Sequence, residues 1–144
     1  MKINVKKVKK MLAEVLYLFI ILFFCYATTN KLLNLNSFRT NLLKTSLFTE
    51  DIAKVFSVCV IIIETIIILL LIFYKKKGLL IFSITMLIFT LYISYLRFKG
   101  LYEVCGCGGI LNGLDYKYHF LINLSFLFGS IYCYMIASTE KNEK

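Results

Sequence analysis

The stretch of this chain whose residue types could do chemistry by themselves is Cys105-Gly106-Cys107-Gly108-Gly109. Its three glycines tolerate positive φ angles and leave both sulfurs without side-chain cover. Cysteines at i and i+2 bring their Cα atoms to the roughly 4.4 to 6.8 Å a disulfide requires only in a strained turn. Strain makes such a bond labile, which suits thiol exchange better than stapling. So short a loop also contributes little chain-entropy stabilisation. Metal binding by the same two sulfurs would need further ligands, and Glu103, Asp115 and His119 are the neighbours that could supply them. Two thiolates alone are a weak metal signature, and no metal site is assigned. His119, the single histidine, could lower a thiol pKa or move a proton. Cys25, Cys59 and Cys133 stand isolated in apolar runs, where cysteine behaves as a small apolar residue.

A second chemical candidate is Glu64, at the midpoint of the apolar run Val55–Tyr74. An acid at mid-bilayer costs on the order of 3 kcal/mol, so something must compensate. With no cation beside it, the carboxyl is expected to be protonated or bonded to a hydroxyl or amide. A proton relay, a ligand contact and a structural hydrogen bond between helices all fit. At about 100° per residue, polar side chains fall into stripes that mark the faces turned toward other helices. His119, Asn123, Ser130 and Cys133 form one stripe, and Ser83, Thr90, Ser94 and Arg97 another. Glu14, Cys25 and Thr28 share a face, and Ser57 lies near Glu64, whereas Cys59 projects about 140° away from it. Lys31 and Arg97 could face a thiolate or a quinone-like electron carrier, or anchor the chain at the interface, the role favoured for Arg97.

These residues must be held by helices in a membrane. Of 144 residues 60% are apolar and 17% charged, with 13 Phe, 10 Tyr and no Pro or Trp, against roughly half and a quarter in soluble domains. Four spans are expected, at Met11–Thr29, Val55–Tyr74, Leu79–Leu96 and Tyr118–Ala137. They use about 80 positions, and no remaining piece is long enough to fold alone. The fold class is therefore all-α, an integral membrane four-helix bundle in one domain, without a large soluble catalytic unit. The first run follows a basic stretch as a signal peptide would. Its uncharged length, Val15 to Asn30, exceeds the roughly 7 to 15 residues of a signal core, so a retained helix is expected.

Ten of the 17 cations lie at the two ends of the chain and in Lys75–Lys77, and seven in or beside the other connections. Basic residues prefer the cytoplasm, which places both termini and the Lys75 turn inside, with the 30–54 and 97–117 connections outside. The net charge of +9 is thus a topology signal, with lipid attraction secondary and nucleic-acid binding disfavoured. Lys75-Lys76-Lys77-Gly78 reads as a tight turn between antiparallel helices. Asn36 is expected to cap a short amphipathic segment carrying Phe38, Leu42 and Leu43, either a linker or a lid. Thr49, Glu50 and Asp51 suit the start of the second span.

Lys31 after the first span, Phe38, Glu64, the CGCGG loop, and His119 with Asn123 together resemble the MauE/DoxX-like redox-associated membrane proteins, over roughly residues 12 to 137. The resemblance implies a four-helix membrane protein of the bacterial inner membrane that acts with a thioredoxin-like partner on an exported client. In the methylamine-utilisation branch it implies maturation of a disulfide-rich periplasmic dehydrogenase subunit. The chain departs from the pattern in having no proline before the second-span acid, which puts a kink there in doubt. The expected activity is thiol-disulfide exchange by Cys105 and Cys107, with His119 and Glu64 as proton-handling candidates. Lys31, Asn123, Gly106, Gly108 and Gly109 are support, and a quinone is a compatible cofactor. A non-enzymatic assembly or docking factor is the alternative, and a small-solute transporter is disfavoured by only four spans.

Overall fold

The computed structural model describes residues 5–101 and 115–142, which form five α-helices and no strand. They are α1 (Val5–Leu33), α2 (Leu35–Lys44), α3 (Glu50–Phe73), α4 (Lys75–Phe98) and α5 (Tyr116–Asn142). All except α2 are long and apolar enough to cross a membrane. The 24 residues of α3 give about 36 Å of helix, somewhat more than a hydrocarbon core of about 30 Å. Each of the four helices exceeds the apolar run expected from sequence. The backbone goes on satisfying its own hydrogen bonds after the side chains turn polar, so a helix need not stop at the interface.

The inward faces repeat every three or four residues. Tyr17, Ile20 and Phe24 of α1 meet Ile67 and Leu71 of α3, Phe82 and Met86 of α4, and Phe126 of α5. Phe24 and Phe82 pack edge to face with ring centroids 5.0 Å apart. The opposite faces present Leu18, Leu22, Ile62, Ile66, Leu87 and Leu91 outward, as a lipid-facing surface requires. Lipid tails are as apolar as these residues, so helix association there rests on close packing and interhelical hydrogen bonds. Both are present. Gly129 of α5 lies against Leu16, and the Ser83 and Ser130 hydroxyls join α4 to α5 at 2.7 Å. The polar stripe His119, Asn123, Ser130, Cys133 is buried as expected, and so are Ser83 and Thr90, while Arg97 is exposed.

Two local expectations need correction. The turn between α3 and α4 is Tyr74 alone, and Lys75–Lys77 form the first turn of α4. Three cations oppose the dipole at a helix N-terminus, which is why their sequence reads as a turn. Here the helix starts early because Gly78 sits directly on the end of α3. A Cβ at Gly78 would lie 2.5 Å from the Leu71 backbone nitrogen. At α2 the N-cap position is Asn34, not Asn36, and its side chain makes no cap bond. It reaches back instead to Asn30, 2.8 Å from the Asn30 side-chain oxygen. The α3 start is as expected, with Thr49 at the N-cap position and Glu50 and Asp51 in the first turn.

Candidate functional site

Thr28 and Lys31 lie three residues apart near the C-terminal end of α1 and so share a face. Both are buried, at 7% and 5% exposure, against Glu64 of α3 at 1%. The Lys31 ammonium donates to Glu64 Oε1. The Thr28 hydroxyl lies 3.0 Å from Glu64 Oε2 and 2.9 Å from the Phe24 carbonyl. Lys31 Nζ also sits 5.4 Å from the centroid of the Phe89 ring of α4. The expectation of a Glu64 without a cation is thereby overturned, although the expected hydroxyl contact is present. Lys31 is likewise no interfacial anchor. Its four-carbon stem carries the charge inward from the end of α1, and pairing offsets the desolvation that each ion would suffer alone.

Lys31 also borders a cavity of about 150 Å³ lined by all five helices. Its walls are mostly aromatic and aliphatic, with Phe24 from α1, Phe38 from α2, and Phe89 and Tyr92 from α4. The polar lining is Lys31 with His119 and Asn123 of α5, which are 1% and 4% exposed. Phe56 of α3 and Ile88 of α4 form part of the wall yet are 40% and 58% exposed, so the cavity opens on the lipid-facing side between these helices. The amphipathic α2 closes part of this end by packing Phe38 and Leu42 on Ala53 of α3. Of its expected apolar residues, Leu43 points outward instead. Ser57, expected near Glu64, accepts a hydrogen bond from Arg39 of α2 at 3.2 Å.

Among the sequence candidates, Lys31, His119 and Asn123 therefore meet at one cavity, and Glu64 is joined to it through Lys31. Cys105 and Cys107, with Gly106, Gly108 and Gly109, lie outside the described residues. Their segment links the end of α4 to the start of α5, and those are the helix ends nearest the cavity residues Tyr92 and His119. Of the described cysteines, Cys25, Cys59 and Cys133 are free thiols. Cys59 faces outward, and Cys133 Sγ lies 3.3 Å from the Ala13 carbonyl. Among the described residues no three His, Cys, Asp or Glu side chains converge as metal ligands would. The sequence reading missed the Lys31–Glu64 partnership. The available signal was an unpaired mid-span acid together with a lysine one helical turn from Thr28, on the same face.

The fold and site define a multi-pass helical membrane protein with a buried acid-base pair and a lipid-side cavity at one end of its bundle. The chain belongs to the family described as methylamine utilisation protein MauE, whose profile matches residues 9–136. Comparisons with curated proteins and with solved structures give no match.

Proposed function

We propose that this protein is the membrane component of an extracytoplasmic thiol-disulfide exchange system of the bacterial inner membrane. Cys105 and Cys107 alternate between dithiol and disulfide. In each exchange with a thioredoxin-like partner a thiolate attacks the disulfide sulfur, one S–S bond forms as another breaks, and the partner leaves in the opposite redox state. The process served is maturation of an exported disulfide-containing protein, which in the family's named branch is methylamine dehydrogenase. The single observation that carries this reading is the Cys-Gly-Cys-Gly-Gly sequence in the α4–α5 connection, at the end of the bundle that holds Lys31, His119 and Asn123. The uneven distribution of cations supports an outward position for that connection, with both termini in the cytoplasm. That side is also the oxidising one.

The test is to trap the partner. In cells, Cys107→Ser leaves Cys105 able to form a mixed disulfide that it cannot resolve, so a covalent adduct with another polypeptide is expected on non-reducing gels. Its absence in both Cys107→Ser and Cys105→Ser, with client maturation unchanged, would contradict the proposal.

A further inference from the structure

The cavity has chemistry that neither the helix packing nor thiol exchange uses. Asn123 is 4% exposed, borders the cavity, and makes no side-chain hydrogen bond with another described residue. No fully buried side-chain nitrogen or oxygen among the described residues lacks a partner, so the Asn123 amide reaches the cavity space, where its N–H groups are open to an acceptor from outside the chain. Lys31 has three N–H donors, of which one goes to Glu64. Because Glu64 cancels the Lys31 charge, the site is electrically balanced and suits a neutral carbonyl oxygen better than a phosphate or carboxylate. Apolar cavities of about 150 Å³ accept a benzene ring, so this one, of about 150 Å³, has room for a single ring head. A tail must then lie outside, and the opening beside Phe56 and Ile88 gives it a path into lipid.

We propose that this cavity binds the head ring of a lipid-soluble quinone. Asn123 and Lys31 donate to its carbonyl oxygens, the ring sits among Phe24, Phe89 and Tyr92, and the tail leaves toward the bilayer. Binding stands on the cavity alone. Its redox consequence rests on the thiol-exchange reading: closing the Cys105–Cys107 disulfide releases two electrons and two protons, and a quinone that takes up both becomes the quinol.

The chain contains no tryptophan, so Ile88→Trp places one reporter at the cavity mouth, and Leu69→Trp, on the exposed face of α3, reports collisions with probe dissolved in lipid. Purified protein in lipid nanodiscs is titrated with decyl-ubiquinone and with decyl-plastoquinone, both of which carry a single-ring head. The expected result is saturable quenching of Ile88→Trp by at least one probe, while quenching of Leu69→Trp rises without saturation. Adding Asn123→Leu to the Ile88→Trp protein should raise the half-saturating concentration about tenfold, and decylbenzene, with the same tail and no carbonyl, should not compete. Non-saturating quenching at both reporters overturns the proposal, as does equal competition by decylbenzene, which would make the occupant an acyl chain. The titration is repeated with Cys105→Ser and Cys107→Ser, where unchanged affinity is expected. Binding with no trapped partner would sink the exchange reading alone, and a trapped partner without saturable binding would sink the quinone site alone.

Discussion

The two ends of the bundle use the same pair of residue types in different surroundings. At one end Lys75, opening α4, lies 2.6 Å from Glu14 of α1, with the two side chains 33% and 46% exposed. Lys75 also sits 4.5 Å from the centroid of the Tyr17 ring, whose hydroxyl donates to the Leu71 carbonyl. At the other end Lys31 meets Glu64 with exposures of 5% and 1%, beside a cavity. The half-exposed pair is a tie at the membrane edge, where solvent weakens the attraction but demands little desolvation. The buried pair lies deeper, and either member alone would be a charge stranded in a medium of low dielectric constant. Burial, not residue type, separates a fastening from a site.

The contrast can be broken by substitution. The largest effect is expected at the buried pair, where Lys31→Met leaves Glu64 alone and should cost about 3 to 5 kcal/mol, read as loss of folded protein on heating in detergent. Lys31→Met combined with Glu64→Leu should recover most of that loss, since it removes both charges. If the single and double variants melt alike, the pair is not coupled as described. Next is Gly78→Leu, whose side chain would collide with the backbone of Leu70 and Leu71 and should destabilise by about 1 to 3 kcal/mol. The same substitution at Gly129, which faces only the Leu16 side chain, should cost less. A double-mutant cycle on Ser83→Ala and Ser130→Ala should give a coupling between about 0.6 and 1.7 kcal/mol. The smallest effect is expected at the edge, where Glu14→Gln should cost about 0.2 to 1 kcal/mol. A larger cost for Glu14→Gln than for Lys31→Met would invert the comparison.

What could be read from the sequence follows the same division. The spans were legible because apolar length is a property of one helix, and so were the inward faces, because His119, Asn123, Ser130 and Cys133 repeat with helical period. Thr49 before Glu50 and Asp51 marked the start of α3 for the same local reason. Partnerships between helices were not legible. Whether Lys31 turns inward to Glu64 or outward to the interface depends on the relative depth and rotation of α1 and α3, which neither helix encodes alone. The Tyr74 junction was hidden for a related cause. Lys75–Lys77 look like a turn until the contact of Gly78 with α3 requires a helix there. The cavity belongs to five helices at once, and no single stretch of sequence carries its outline.

The proposed thiol exchange requires Cys105 and Cys107 to be reactive sulfurs on the non-cytosolic face. It is tested most directly by differential alkylation in intact cells of a variant carrying Cys25→Ser, Cys59→Ser and Cys133→Ser. A membrane-impermeant maleimide should reach the remaining sulfurs from outside, and part of the population should become reactive only after mild reduction. Labelling that needs permeabilised cells, or two sulfurs fully reduced in every molecule throughout growth, would contradict it.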